Sequence, residues 1–327
     1  MKTERNKKGF TIVELLTVMS IIALLLGLLV PALSHVRRIA KDTRQKAQFH
    51  SIDVALETYV GEMEQYPDSS LKPDPNAGGT APFTVGAQHL AEALLGRDLL
   101  GFDPWSSGDA EADETKPDVY ASDSPSSPLG STIDQVTKSL DRRRGPYLNP
   151  ENVESYQIAQ LYDNPGDVYS GNLNKNGVVD TGNTPAPVLT DAYRVKAISL
   201  PDGRQVKAGS PILYYRANVL SREFYNSSPL SPDTGDGVSD AEAGRSIFNS
   251  LDNEELIVLR TVMNDTILHH FDPSYNSNTG RNLFYDAITN SKITTQVRPY
   301  NQTSYILVSA GFDGVFGTPD DIYNFSE

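Results

Sequence analysis

The sequence predicts an α+β chain: one long amino-terminal helix carrying a head built on antiparallel β-sheet with large loop insertions. Three observations predict it. Leu15 to Val36 contains no charged residue. Directly after it, Phe49, Ile52, Leu56, Tyr59 and Met63 follow a 3-4-3-4 spacing, the period of one apolar helix face. Beyond Pro67 the pattern changes to short runs separated by Pro, Gly, Asn and Asp, as strands and turns require.

Length and charge narrow the classes. At 327 residues the chain has room for about two domains, and 38% hydrophobic content excludes a polytopic membrane protein. The net charge of −14 is unevenly spread. Residues 1–50 hold nine Lys/Arg against three Asp/Glu, so the remainder carries −20. So acidic a body repels phosphate backbones, which argues against a nucleic-acid partner and favours divalent cations. With no cysteine, disulfides, thiolate catalysis and Cys-ligated zinc are excluded.

The amino-terminal element opens with a basic leader, residues 1–9, ending in Gly9. Leu15–Leu33 as a helix is about 28 Å long, enough for a bilayer core, and the span is placed at about 12–33. An ordinary signal peptide has a shorter apolar run and a small-residue cleavage site; none stands out just past Val30. A plain single-span anchor would satisfy all of this except Glu14. A carboxylate within an apolar segment costs roughly 2.5–3.5 kcal/mol on insertion scales, so it normally has a partner and a function. No Lys or Arg lies on the neighbouring turns. Cleavage after Gly9 would leave a cationic amine on Phe10, which a neighbouring copy can offer to Glu14.

Lys7-Lys8-Gly9-Phe10-Thr11-Ile12-Val13-Glu14-Leu15-Leu16 resembles the type IV prepilin cleavage and methylation signal, and Pro31 resembles the proline that kinks a pilin stem. The resemblance implies cleavage between Gly9 and Phe10 by a prepilin peptidase/N-methylase, methylation of Phe10, and pairing of Glu14 with the Phe10 amine of an adjacent subunit. It also implies a single-pass inner-membrane protein with the amino terminus cytoplasmic and the head periplasmic. Charge does not fix that orientation, since Arg37, Arg38, Lys41, Arg44 and Lys46 crowd the far end of the span.

The helix is expected to run over 10–66, its amphipathic half docked on the head's own sheet and ending at Tyr66-Pro67. The head is residues 67–327. Ile52–Tyr59 with Tyr66-Pro67, Gly145-Pro146-Tyr147-Leu148 and Pro211–Ala217 resemble segments of the major pseudopilin of type II secretion. Gly101–Gly130, rich in Pro, Ser, Asp and Gly, reads as a long loop. Arg142-Arg143-Arg144 reads as a solvated surface. Tyr193–Leu200 and Arg204–Lys207 around Pro201-Asp202-Gly203 predict a hairpin, and Pro211–Ala217 a strand. Helical spacing of Leu256, Leu259, Met263 and Ile267 predicts a helix over Glu254–His270, and Tyr305–Ser309 the last strand.

The candidate metal site is the carboxy-terminal loop 309–322. Calcium takes six to eight oxygens from carboxylates and carbonyls. Asp313, Asp320 and Asp321 supply charge, while Gly311, Gly314 and Gly317 allow sharp turns. The segment resembles the calcium loop closing the major pseudopilin head, in which these three aspartates match the acidic ligands. The loops at 172–183 and 233–242 imitate calcium loops less well, the first with Asn in place of acids, the second one residue short. Both read better as polar turns. His269-His270 beside Asp272 suggests a metal or a base, but adjacent helical residues point about 100° apart, so a helix-end pair on the carbonyl dipole fits better. There is no G-x-S-x-G elbow, P-loop, dinucleotide fingerprint or H-E-x-x-H, and no spacing nominates a carboxylate pair. The expected protein is a non-enzymatic filament subunit of a type II secretion-like system, meeting other pilin or pseudopilin subunits and an assembly platform in the inner membrane. A minor pilin of a surface pilus and an exported enzyme tethered by a pilin-type stem stay open.

Overall fold

The computed structural model describes residues 11–73, 82–106, 120, 140–151, 153–169, 186–194, 196–200, 203–225, 239–276 and 279–325. The leader and Phe10, nearly all of the loop 101–130, and the loop 172–183 lie outside them. The chain divides into two compact units, residues 1–44 and 45–327.

In the first unit the described residues form the opening stretch of α1 (Ile12–Met63), which continues without a break through Pro31. Leu, Ile, Val and Met side chains from Ile12 to Leu33 lie exposed, and the segment is long and apolar enough to cross a membrane. An apolar helix with such exposed side chains is stable where lipid replaces water.

The second unit begins within the same helix. α1 ends at Met63, three residues short of the predicted Tyr66, where Glu64 turns to φ 64°. β1 (Lys72–Pro73) pairs with β2 (Phe83–Thr84), and α2 (Gly86–Leu95) follows. β3 (Ser155–Gln157), followed by the single turn α3 (Ile158–Leu161), pairs with β4 (Pro187–Leu189). The predicted hairpin is present as β5 (Lys196–Ser199) and β6 (Gln205–Ala208), shorter than expected because Ala192 and Tyr193 form a turn.

The central sheet is antiparallel, in the order β7 (Leu213–Arg216), β8 (Tyr305–Ser309), β9 (Ile322–Tyr323). Its register sets Tyr214 opposite Leu307 and Tyr215 opposite Ile306. Tyr305–Ser309 is therefore the middle strand, and β9 is an edge the sequence did not announce.

Strand side chains alternate between faces, and both faces of this sheet are covered. Tyr214, Tyr305 and Leu307 meet Phe49, Ile52, Leu56 and Tyr59 of α1 and Leu90 and Leu94 of α2. Leu213, Tyr215, Ile306 and Val308 face the other way, onto Phe248, Leu256, Phe284, Ile288 and Phe316. This makes three layers, with the α1 stripe as one of them, as its spacing predicted. Two-sided burial explains why β7 and β8 read as near-continuous apolar runs.

The predicted helix over Glu254–His270 is not formed. Only α5 (Glu254–Ile257) is helical; the chain then turns, with Arg260 and Met263 at positive φ. Val258, Thr261 and Val262 are β-branched and weak helix formers. Asn264 Oδ1 accepts from the Thr266 amide and hydroxyl, bonds that compete with a helical ladder. Met263 and Ile267, taken as apolar-face positions, are 40% and 42% exposed. Of the other helical pieces, α4 (Asp240–Ala243) and α6 (Gly280–Ala287) belong to the layer opposite α1.

Candidate functional site

Gly9 and Phe10 lie outside the described residues; Glu14 lies within them. Its Oε2 accepts from the Thr11 amide and the Thr11 hydroxyl, both at 2.9 Å, while Thr11 Oγ1 accepts from the Glu14 amide at 3.2 Å. This is a reciprocal capping box, Thr at the cap and Glu three residues on, satisfying amides that begin a helix without partners. The sequence reading gave Glu14 an intersubunit partner and overlooked this local one, although Thr-x-x-Glu was there to see. The two roles are compatible, because a carboxylate has about four acceptor positions and the side chain is exposed.

The acidic loop follows β8. Gly311, Gly314 and Gly317 all take positive φ (65°, 72° and 91°), as the sequence required. At Gly311 a Cβ would also collide with the Asp320 carbonyl oxygen. Asp320 ties the loop to itself: Oδ2 accepts from the Phe312 and Asp313 amides at 2.7 and 3.1 Å, and Oδ1 from the Thr318 hydroxyl at 2.6 Å. Asp313 Oδ1 accepts from the Val315 amide, and Asp321 Oδ2 from the Gly317 amide, both at 2.7 Å.

The three carboxylates are close enough to feel one another. Asp313 is raised by burial and then by Asp320. Burial opposes ionisation of Asp320, but its hydrogen bonds outweigh that and lower it. Asp321 is pushed up to about 8, by burial first and by Asp320 and Asp313 after it. Its Oδ1 is buried with no hydrogen-bond partner. The donor chemistry suits a hard cation, and the Asp321 oxygen is one it would satisfy. The arrangement is not a preformed cage, however: among the described residues no group of three His, Cys, Asp or Glu side chains gathers as a metal would need. The carboxylates are turned onto backbone amides instead.

His269 and His270 are not a helix-end pair, because no helix reaches them. They fasten the acidic loop. The Phe316 amide donates to His269 Nδ1 at 3.0 Å, which leaves the proton on Nε2 for the Arg260 carbonyl at 2.9 Å. His270 donates its amide to the Phe316 carbonyl at 2.8 Å and its Nδ1–H to the Gly317 carbonyl at 3.1 Å. His269 is buried, and burial holds it down to about 4. Both its nitrogens are occupied, so it serves as neither base nor ligand.

The remaining charged candidates are also committed. In the described part of 233–242, Asp240 pairs with Arg281 at 2.6 Å and Glu242 caps α4 through Ser239. The arginine triplet is not simply a solvated surface: Arg143 grips Asp98 at 2.9 and 3.1 Å and lies 4.2 Å over the Tyr120 ring, while Arg142 lies 4.1 Å over Trp105. Its acidic and aromatic partners stand 23 to 45 residues upstream, too far in sequence to be read as one group. In α2, Glu92 meets Arg97 at 3.1 Å, with both side chains 6% exposed.

Comparison with curated proteins and with solved structures returned no match. Residues 5–30 match the family model described as the prokaryotic N-terminal methylation motif. The matched stretch holds the Gly9–Phe10 junction, Thr11, Glu14 and most of the apolar span: the chain carries a type IV pilin-type amino-terminal signal.

Proposed function

We infer that this chain is an exported pilin-like structural subunit which assembles into a filament of a type II secretion-like system. The methylation motif at residues 5–30 carries the reading. A prepilin peptidase/N-methylase cuts between Gly9 and Phe10 and methylates the new amine. The subunit waits in the inner membrane through the apolar stretch of α1, amino terminus cytoplasmic and head periplasmic. It then passes to an assembly platform and other pilin or pseudopilin subunits. Glu14, whose hydrogen-bond donors among the described residues are neutral Thr11 groups, receives the Phe10 amine of the next subunit. A carboxylate at membrane depth gains most from such a pairing, since lipid offers it nothing else.

The head does no chemistry of its own in this reading. Calcium stabilises it through Asp313, Asp320 and Asp321, and the unpartnered Oδ1 of Asp321 supports that assignment. A bound ion supplies positive charge to a loop in which Asp320 raises Asp313 and both raise Asp321; the aspartates turn from backbone amides to hold it.

The test is intact-mass analysis of protein extracted from membranes with an active prepilin peptidase. The expected species lacks residues 1–9 and carries one added methyl at Phe10. Recovery of the full-length, unmethylated chain overturns the reading.

A further inference from the structure

Where α1 leaves its apolar stretch it turns basic. Arg37, Arg38, Lys41, Arg44 and Lys46 fall within ten residues, and Asp42 is the one acid between Ser34 and Ile52. Arg37, Arg38, Arg44 and Lys46 are exposed, and among the described residues none of the four meets a carboxylate. Nothing in the filament reading uses them.

Their depth follows from the helix. At 1.5 Å per residue, Arg37 and Arg38 stand about 6 and 8 Å beyond Leu33. The polar headgroup layer on each side of a bilayer is about 5–7 Å thick. Arg44 and Lys46 stand about 17 and 20 Å beyond Leu33, past that layer. Val36 and Ile39, 59% and 51% exposed, flank the two arginines. Apolar side chains thus continue into the boundary beside long cationic ones, whose stems can cover hydrocarbon while their heads stay in the polar layer.

Charge indicates what meets them. A guanidinium holds a phosphate through two parallel hydrogen bonds. A zwitterionic lipid offers its phosphate already balanced by an ammonium; an acidic phospholipid offers one with net charge. The stem of a second copy is another source of negative charge, but its acids serve their own head. The hydroxyls of Tyr305, Tyr66 and Tyr147 donate to Asp53, Glu57 and Glu62 at 2.8, 2.8 and 2.9 Å. Beyond residue 50 the chain carries −20, so an anionic surface repels the head and attraction is confined to the basic collar.

We propose that Arg37 and Arg38 bind the phosphates of acidic phospholipids at the end of the membrane span. The inference rests on the apolar stretch of α1 lying in a bilayer.

The full chain is reconstituted in phosphatidylcholine vesicles, and electron paramagnetic resonance measures how much of a trace of spin-labelled phosphatidylglycerol or phosphatidylcholine it immobilises. The expected result is a preference for phosphatidylglycerol of about fivefold, the attraction of one well-placed cation. Arg37→Gln with Arg38→Gln should reduce it below about twofold, while Arg44→Gln with Lys46→Gln, which removes the same charge, should leave most of it. Molar salt, which screens beyond about 3 Å, should weaken it. An alkaline wash of the vesicles shows whether each chain is inserted. A wild-type chain that washes off overturns the membrane reading and the lipid proposal together. Insertion without a preference overturns the lipid proposal alone. So does a preference that the Arg37/Arg38 variant keeps, one that both double variants lose equally, or one that disappears as the protein is diluted in lipid, which would assign the arginines to a second copy.

Discussion

Glu14 and Thr11 cap their own helix reciprocally: the glutamate carboxylate takes both the amide and the hydroxyl of the threonine, and the threonine oxygen takes the glutamate amide. An acid in an apolar stretch thus has a local structural role beside the assembly role inferred for it, and the two can be separated.

Glutamine serves at the third position of a capping box as well as glutamate does, but it carries no charge. Glu14→Gln should keep the helix start intact yet enter filaments poorly in competition with wild type, as Glu14→Ala should. Thr11→Val, which removes the hydroxyl and keeps the charge, should assemble better than either. Normal assembly of Glu14→Gln, scored by tagged-subunit incorporation, would reduce Glu14 to a cap.

The Glu92–Arg97 pair is buried on both sides, and Glu92 also accepts from the Ser106 hydroxyl. Removing one partner leaves an uncompensated charge in the core. Arg97→Met is expected to destabilise the head by about 3–5 kcal/mol. Adding Glu92→Leu should recover much of that loss, since apolar replacements of a whole buried pair are often close to neutral. Chemical denaturation of the single and double variants measures the difference.

His89 and His269 are both held down to about 4 by burial, from an ordinary value near 6.5. The unfolded chain takes up these protons at higher pH than the folded one, so stability falls as pH drops from about 6.5 towards 4. Linkage puts the loss at roughly 3 kcal/mol for each histidine when the whole window is crossed. Acidification should therefore lower the melting temperature across this range. His269→Asn should flatten part of the slope, and a melting temperature unaffected between pH 7 and 5 would contradict the burial of both rings.

Asp321 behaves in the opposite sense. Its folded value, near 8, lies above the ordinary carboxylate value, so its contribution to stability is lost as pH rises from about 4 to 8. Asp321→Asn should stabilise the chelator-treated head at pH 8 while abolishing most of its response to calcium. Calcium at a hundredfold excess over Kd should raise wild-type stability by about 2.7 kcal/mol, and magnesium should substitute poorly. Replacing Asp320 is a less clean test, because three donors in the loop rely on it.

Much of this was legible in the sequence, for physical reasons. Phe49, Ile52, Leu56 and Tyr59 announced themselves because α1 buries a single face there. The positive-φ glycines of the last loop could be named because few other residues take that conformation. α2 was not read at all. Every residue from Gly86 to Leu95 is buried, polar ones included, so no polar face sets a period. The residues after Ile257 misled in the opposite way, showing helical spacing where turns dispose the side chains. The roles of His269 and of the arginine triplet rest on partners distant in sequence, which spacing cannot reveal.

The sandwiching of the central sheet also sets an order of events. Asp53 in the stem helix accepts the Tyr305 hydroxyl across 252 residues of sequence, and the middle strand of the sheet is the last but one to be made. Contacts of such long range make folding slow, because the loop between them must close before they can form. Until β8 is made, the Phe49–Tyr59 stripe of α1 therefore lacks Tyr305 and Leu307, and β7 lacks its partner strand.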